Sequence, residues 1–188
     1  GDGCCRSNGL VISSGDESVV RNIANLLNTT YKSSKGNYSW YLPNSNKKKI
    51  NYYNEWLHNK YAHEKIIDFN ILKSFNRQSL LKLIAGIIDT DGCVAYSGTE
   101  ICISVGMQAK SVIDALKYAF LALWGIKLNI FIENRAKYKN GPIYIISLKH
   151  IYHCKRVLKE LDPYIMCDRK KYKSEYDLLI PNNFNQNS

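Results

Sequence analysis

The order of apolar and polar residues along the chain predicts two similar halves, each built from strands and helices. A strand-like run at residues 9–13 recurs at residues 100–105, where apolar and polar side chains alternate. In both halves a helix follows, because apolar residues then recur at helical spacing. The expected N-caps of these two helices are Asp16 and Ser111, whose side chains can accept a hydrogen bond from the first turn.

Each half continues with a second pair of strands and a closing helix. In the first half these are strands at 38–42 and 50–53, a turn at 44–46 and a helix at 53–61; in the second half they are strands at 128–133 and 143–148 and a helix at 150–161. The second half therefore has the predicted order α-β-β-α-β-β-α, and the first half has the same order without its opening helix. Such a long repeat is typical of a fused pseudo-dimer rather than a solenoid.

The opening helix of the second half is unusual in its composition. Residues 78–88 are apolar almost all round, which predicts a helix buried on more than one side. It ends in Asp89-Thr90-Asp91-Gly92, and a glycine is a natural left-handed residue after a helix C-terminus. Two carboxylates in the last turn sit at the negative end of the helix dipole, where cations are preferred. The pattern indicates either a solvent-facing Asp-Gly turn or a site for a metal cation.

These residues resemble a known family. Residues 84–92, Ile-Ala-Gly-Ile-Ile-Asp-Thr-Asp-Gly, resemble the LAGLIDADG motif of homing endonucleases, from which they differ by aliphatic exchanges and by Thr90. Gly1-Asp2-Gly3 is similar to the last three residues of a first copy, as in the two-motif endonucleases of inteins and introns. The resemblance extends over about residues 1–179. Because the chain has no initiator Met, we expect it to have been trimmed or excised from a longer one.

The resemblance implies the fold and the division of the chain. It implies an α+β fold of two pseudo-symmetric α-β-β-α-β-β-α repeats, each with a twisted antiparallel sheet that contributes to a DNA-binding saddle. The N-terminal half would be residues 1–70, the C-terminal half residues 71–179, and residues 180–188 a flexible tail. Since the opening helix of the first half is missing, an upstream polypeptide is expected to supply it.

The resemblance also implies an active site. The last motif acids, Asp2 and Asp91, would bind a divalent metal, Mg²⁺ or another such as Mn²⁺, beside two scissile phosphates; Mg²⁺ prefers carboxylate and phosphate oxygens. Asp89 is the weaker candidate, because its motif position is more often structural. Lys65 and Lys170, with Lys171 a close rival, match the basic residue near the attacking water. The implied activity is site-specific, metal-dependent hydrolysis of double-stranded DNA at a long target site.

The charge of the chain agrees with a nucleic-acid partner. Lys and Arg number 26 against 16 Asp and Glu, a formal net charge of +10, and the 14 tyrosines offer stacking surfaces. Because a two-stranded β-ribbon fits the major groove, we expect the strands to contact DNA. The candidate DNA-binding residues are Ser39, Tyr41, Lys49, Tyr96, Asn129, Arg135, Lys137 and Tyr138.

Other classes of site and location are less favoured. No apolar run approaches the length of a membrane span, and no basic amphipathic helix stands alone, so we expect no membrane partner. Six cysteines without a secretory signal indicate free thiols in an intracellular compartment: the cytoplasm, or an organelle or nucleus that holds the target DNA. His150, His153 and Cys154 share a helical face, but the spacing is poor for structural zinc.

Two further functions fit the same fold. One is an RNA-binding intron maturase, which binding to intron RNA rather than duplex DNA would identify. The other is a DNA-binding protein that has lost catalysis. The presence of both motif acids favours the enzyme.

Overall fold

A computed structural model describes residues 3–6, 9–33, 38–43, 62–98, 100–134 and 141–178, and these form an α+β fold with two four-stranded antiparallel sheets. Sheet A contains β1 (Gly3–Arg6), β2 (Gly9–Ser13), β3 (Lys32–Ser33) and β4 (Ser39–Pro43), in the order β1-β2-β4-β3. Sheet B contains β5 (Gly92–Ser97), β6 (Glu100–Met107), β7 (Ile130–Glu133) and β8 (Ile143–Leu148), in the order β5-β6-β8-β7. The predicted fold class is confirmed.

Five α-helices lie in the described part of the chain. They are α1 (Glu17–Leu26), α2 (Phe69–Ser74), α3 (Arg77–Asp91), α4 (Lys110–Trp124) and α5 (Ile151–Leu161). The second half thus has the order α3-β5-β6-α4-β7-β8-α5, as its apolar periodicity predicts. Short 3-10 turns occur at Ala62–Glu64, Asp162–Tyr164, Asp168–Lys170 and Ser174–Leu178. No helix among the described residues is both long enough and apolar enough to cross a bilayer.

The second strand pair of the first half differs from the prediction. The strand expected at 38–42 is present as β4. Its partner in the pair is β3, which precedes it in the chain and pairs with it antiparallel. β3 has only two residues, both polar and exposed, so alternation could not reveal it. The strand expected at 50–53 and the helix expected at 53–61 lie outside the described residues.

Neither predicted N-cap side chain forms a capping hydrogen bond with the first turn of its helix. Asp16 stands at the N-cap position of α1, but its side chain caps nothing in that helix. The N-cap of α4 is Ala109, and Ser111 lies inside the helix. The Ser111 Oγ accepts from the Ile67 amide at 2.9 Å and donates to the Ile67 carbonyl at 3.3 Å. In both cases the side chain bonds to a residue distant in the sequence, Arg169 for Asp16 and Ile67 for Ser111.

Gly92 also differs from the prediction, because its backbone is extended rather than left-handed (φ −87°, ψ 158°). The reason for glycine here is space. A Cβ at Gly92 would lie 2.6 Å from Ile88 Cα and 2.7 Å from Ile88 O, both backbone atoms of α3. A side chain would therefore push the first residue of β5 away from the helix end.

Most of the hydrophobic core lies in the second half. Helices α3, α4 and α5 pack on one face of sheet B, and Ile84, Ile88, Leu116 and Leu158 are fully buried there. In the first half α1 packs on sheet A, around Ile12, Val20, Ala24 and Leu42. The larger core holds α3 rigidly, and the carboxyl end of α3 is the position from which Asp91 projects.

Candidate active site

Asp91 is the last residue of α3, which passes directly into β5. Its side chain is half-buried, and the Thr90 hydroxyl donates to Asp91 Oδ2 at 2.8 Å. Burial acts to raise the pKa of Asp91, whereas the Thr90 hydrogen bond and, to a smaller extent, the charge of Lys65 act to lower it. The carboxylate lies at the negative end of a helix, where a cation would stabilise it.

Lys65 is the predicted basic residue that the structure brings towards Asp91. It follows the 3-10 turn at Ala62–Glu64 and is half-buried. The bonds between Ile67 and Ser111 fix the chain two residues further on. The charge of Lys65 is a minor influence on the pKa of Asp91, and it acts to lower that pKa.

Asp89 has a different environment from Asp91, although the two are separated by one residue. Its side chain is 4% exposed and accepts backbone hydrogen bonds from Met166, at 2.8 Å, and Cys167, at 3.0 Å. Burial raises the pKa of Asp89, and the two hydrogen bonds only partly oppose that rise. Both oxygens of Asp89 thus anchor the segment 166–170 to α3, in agreement with the structural role expected from its motif position.

Lys170 is buried against the end of the same helix. It is 2% exposed, and its Nζ donates to the carbonyls of Ile88, at 2.8 Å, and Asp89, at 2.7 Å. Burial lowers the pKa of Lys170. The ammonium therefore adds a donor to two carbonyls in the last turn of α3, of which that of Ile88 also accepts from the Gly92 amide, and its charge compensates the helix dipole.

Lys171, the rival position, is half-exposed. Its Nζ pairs with Asp168 at 3.2 Å, and its carbonyl accepts from the Tyr96 hydroxyl at 2.8 Å. The two adjacent lysines therefore differ sharply: Lys170 contacts the helix that carries Asp91, and Lys171 contacts its own turn. Sequence spacing could not separate them, because the distinction depends on which face of the 3-10 turn meets α3.

The segment 166–170 also contacts the first half of the chain. Arg169 binds Asp16 through two nitrogens, with Nε to Oδ1 at 2.9 Å and a terminal nitrogen to Oδ2 at 2.8 Å. The hydrogen bond from Arg169 lowers the pKa of Asp16 and is the largest cause of that shift. Asn22 of α1 donates to the Met166 carbonyl at 3.3 Å. Sequence reasoning missed Arg169, because no residue near it in the sequence indicates that it pairs with Asp16.

The predicted DNA-binding residues fall into three groups. Ser39 and Tyr41 lie on the face of β4 that points away from the core around Leu42, and Lys32 stands over the Tyr41 ring at 5.7 Å. Asn129 is exposed just before β7. Lys49, Arg135, Lys137 and Tyr138 lie outside the described residues, as does the predicted metal ligand Asp2.

Tyr96 has an environment different from that of the other candidates. Its side chain packs against the core of the second half, its ring lies 4.8 Å from that of Tyr176, and its hydroxyl donates to Lys171. Burial raises the pKa of Tyr96 to about 12. The alternation of β5 places Tyr96 on the helix-covered face of sheet B, so its side chain does not lie on the outer face of the sheet.

The zinc alternative gains no support from the described residues, in which no three His, Cys, Asp or Glu side chains are grouped to hold a metal ion. Cys154 is fully buried and its thiol points at the carbonyls of Ile101 and Leu148. Burial raises the pKa of Cys154 to about 12, which opposes the thiolate that zinc requires. Cys93, Cys102 and Cys167 are likewise free of disulfides.

Comparison with known proteins identifies similarity at the level of the family and the fold. Residues 78–159, which include α3 and sheet B, match the family model of the LAGLIDADG-like domain. No curated protein has a significantly similar sequence. Among solved structures, the chain is similar to the N-terminal LAGLIDADG domain of DUF199/WhiA, with 12% identity and a TM-score of 0.50 over 93% of this chain and 78% of that one.

Two homing endonuclease structures also match. One is I-WcaI bound to its DNA recognition sequence (14% identity, TM-score 0.48, 95% of this chain and 79% of that one). The other is the LAGLIDADG homing endonuclease I-GzeII in complex with its DNA target (13% identity, TM-score 0.42, 90% of this chain and 75% of that one). The family match, which covers the motif at residues 84–92, confirms the resemblance found there: residues 78–159 match the model of the LAGLIDADG-like domain.

Proposed function

We propose that the chain is the endonuclease portion of a site-specific, double-strand DNA homing endonuclease. The observation that carries this proposal is Asp91: a half-buried carboxylate at the negative end of α3, within the residues that match the LAGLIDADG-like model. Buried carboxylates at a helix C-terminus are unfavourable in the absence of positive charge, so the position suits a group that binds a cation.

The donor chemistry at Asp91 fits Mg²⁺, or a similar divalent ion such as Mn²⁺. Mg²⁺ is usually held by one or two carboxylates together with substrate phosphates and water, so a complete cage of protein ligands is not required. Asp91, with Asp2 as the second acid, would hold the ion. When bound, such an ion stabilises the attacking and leaving oxygens of phosphodiester hydrolysis.

The basic residues have separate tasks in this proposal. Lys65 would donate to the phosphate or orient the attacking water, since a compact ammonium stabilises the charge that develops there. Lys170 is proposed for the same task in the second half. To contact a phosphate or water, its ammonium would exchange its hydrogen bonds to the carbonyls of Ile88 and Asp89.

An upstream polypeptide would complete the pair of motif helices. Gly86, on the surface of α3, has no neighbouring atom within 4 Å of the position of an added Cβ, and Lys82 and Thr90, one turn to each side, are exposed. The described residues leave this strip of α3 uncovered, while seven other residues of the helix, among them Ile84 and Ile88, are buried. A second helix could approach closely at the glycine.

The DNA-binding surface is proposed on the strands. Ser39 and Tyr41, together with Lys32, form a polar, positively charged strip on sheet A, and Asn129 is exposed beside sheet B. If basic residues bind phosphates, log affinity should fall by about 0.9 per unit of log salt for each phosphate neutralised. A salt slope near zero would contradict the nucleic-acid function.

The deciding experiment joins the chain to an upstream motif helix and incubates it with a library of duplex targets and Mg²⁺, after which cut ends are mapped. We expect cleavage of both strands at one long site. Asp91→Asn keeps the shape and removes the charged ligand, so binding should survive and cleavage should fall by orders of magnitude. Asp114→Asn, which removes an acid paired with Lys110 on α4, is the matched control and should cleave normally.

The lysines and the metal refine the same experiment. Lys65→Ala and Lys170→Ala should slow cleavage more than they weaken binding, whereas Lys171→Ala should be nearly silent. Ca²⁺ should support binding with little cutting, because the larger ion tolerates looser geometry. If Asp91→Asn and Asp2→Asn both cleave like the parent, the proposed site is wrong.

A DNA-binding protein without catalysis is the second candidate. It is favoured by the position of Lys170, whose amine is already bound to backbone carbonyls. It predicts site-specific duplex binding, unaffected by Asp91→Asn, and no cut ends with Mg²⁺ or Mn²⁺.

A further inference from the structure

The apolar clusters on the two sheets share no member among the described buried residues. Ile12, Val20, Ala24 and Leu42 form the cluster on sheet A, whereas the larger cluster lies between sheet B and its three helices. Two packed units that are not joined by a large apolar interface are expected to move relative to one another. Polar contacts between the halves therefore control how closely their relative position is fixed.

Arg169 provides the most extensive of these polar contacts among the described residues. Its Nε lies 2.9 Å from Oδ1 and 3.0 Å from Oδ2 of Asp16, and a terminal nitrogen lies 2.8 Å from Oδ2. A planar guanidinium bound in this way fixes the orientation of the carboxylate as well as its distance, which a single ammonium cannot do. Asn22 adds one bond to the Met166 carbonyl, at 3.3 Å.

Asp16 is fixed to sheet A through the residues that precede it. It follows β2, an inner strand of that sheet. The Ser14 amide donates to the Tyr38 carbonyl at 2.9 Å, and Trp40 Nε1 donates to the Ser14 carbonyl at 2.9 Å. The carboxylate that Arg169 binds therefore moves with sheet A.

Arg169 is fixed to α3 through its neighbours in the chain. It lies in the 3-10 turn at Asp168–Lys170. Two residues before it, the Cys167 amide donates to the Asp89 carboxylate at 3.0 Å, and one residue after it, Lys170 Nζ donates to the Asp89 carbonyl at 2.7 Å. The ion pair thus connects sheet A to the end of the helix that carries the candidate catalytic acid.

The separation of the two halves has a counterpart in DNA. Each base pair placed between two half-sites moves them about 3.4 Å further apart along the helix axis. A protein whose two binding units are held in one relative position therefore recognises one half-site separation.

Resting on the function proposed above, we propose that Arg169 is a positioning residue that determines which separation of half-sites the chain accepts. Through Asp16 it holds sheet A at one distance and orientation from the end of α3. We assign this role to Arg169 rather than to Asn22, because the guanidinium makes three hydrogen bonds where the amide makes one.

Targets of different central length test the proposal without cleavage. The full chain first selects a target from randomised duplexes in Ca²⁺, and footprinting locates its two half-sites. One base pair is then inserted or removed between them, and the spacing selectivity is the ratio of the two dissociation constants. Because the parent must break the ion pair on an altered target, Arg169→Met should lower this ratio about two- to fivefold, the range for an exposed pair.

Variants connect the selectivity to the ion pair. Asp16→Asn should lower the ratio as much as Arg169→Met does, and the double variant should lose no more than either, since all three remove one interaction. Arg156→Met is the matched control: Arg156 has a similar exposure (55%, against 65% for Arg169) but pairs with Glu160 inside α5, so it should keep the parent ratio. Thermal melting records stability separately, because a merely stabilising residue would change the melting temperature and leave the ratio unaltered.

The outcomes separate this inference from the function beneath it. If the chain binds no duplex, both fail. If it binds a duplex but accepts all central lengths equally, if Arg169→Met keeps the parent ratio, or if the losses of the two single variants add, the inference alone is overturned. A chain that shows the expected ratios and cuts no DNA would support the positioning role and overturn the endonuclease.

Discussion

Sheet A and sheet B have the same strand order and the same antiparallel pairing, but they are stabilised differently. Three helices cover one face of sheet B, whereas α1 is the helix that packs on sheet A among the described residues. The first half is additionally held by polar contacts to the second, through Asp16 with Arg169 and Asn22 with Met166. Equal topology therefore does not imply equal stability, and the second half provides the rigid body that positions Asp91.

The largest effect should come from the core that distinguishes the halves. Leu116→Ala, at a fully buried position between α4 and sheet B, should lower the free energy of unfolding by about 3–5 kcal/mol. Leu42→Ala, equally buried in the smaller cluster of sheet A, should cost about 2–3 kcal/mol, since a smaller cluster can collapse around the cavity. Urea unfolding measures both. A larger loss for Leu42→Ala would reverse the assignment of the rigid half.

The next effect concerns the segment that joins the halves. Lys170→Met should lower the free energy of unfolding by about 1–3 kcal/mol, because it removes the ammonium that donates to the carbonyls of Ile88 and Asp89. Lys171→Met, at the neighbouring half-exposed position, should change it by no more than about 0.5 kcal/mol. Denaturant midpoints of the two variants, compared with the parent, provide the measurement. Equal losses would show that the Lys170 ammonium does not stabilise the end of α3 more than the half-exposed Lys171 does.

Two glycines near the end of α3 sharpen the comparison further. Gly92→Ala should destabilise the fold by about 1–3 kcal/mol, because its Cβ would meet backbone atoms of Ile88. Gly86→Ala should stabilise the chain by about 0.5–1 kcal/mol, since the site is open and helical. With the upstream helix joined, Gly86→Ala should instead weaken the contact between the two motif helices. Thermal melting with and without that helix checks both signs, and stabilisation in both forms would remove Gly86 from the proposed helix pair.

The sequence was sufficient for what depends on periodicity. The order of elements in the second half and the bounds of α3 and α5 follow from apolar spacing, because burial of one face imposes that spacing. It was insufficient where a side chain bonds to a distant element. Asp16 has the residue type of an N-cap but pairs with Arg169, and Ser111 bonds to Ile67 rather than capping α4. Residue propensity identifies possible hydrogen-bond partners in the same helix, whereas both side chains bond to residues of other elements.

The same limit applies within the candidate site. The motif located Asp91 because its nine residues are contiguous, and position in the family pattern pointed to Lys65. Neither could show that Lys170 would be buried against α3 while Lys171 pairs with its own turn. Adjacent residues of a 3-10 turn point in different directions, and the packing of that turn determines which of them meets α3. The role of Tyr96 was missed for a related reason: alternation predicts two faces for a strand, but the covering helices determine which face is the core.

The smallest effect tests the polar contact between the halves. Arg169 lowers the pKa of Asp16 below 3.8, so the ion pair stabilises the fold fully above that value, and the stabilisation is lost as the pH falls through the lowered pKa. A double-mutant cycle with Asp16→Asn and Arg169→Met should give a coupling energy of about 0.5–1 kcal/mol at neutral pH, the range for a partly exposed pair with good geometry. That coupling should vanish well below pH 3.8, where Asp16 is protonated in both states. The pair Lys110–Asp114 within α4 is the matched control, because its coupling stabilises one helix and joins no halves. Urea unfolding across this pH range, in variants that retain Trp40 or Trp124 as the single tryptophan of the three in the chain, follows each half separately by fluorescence. If removing Arg169 shifts only the Trp124 transition, the pair does not hold the first half to the second, and the contrast between the two sheets must arise from their cores alone.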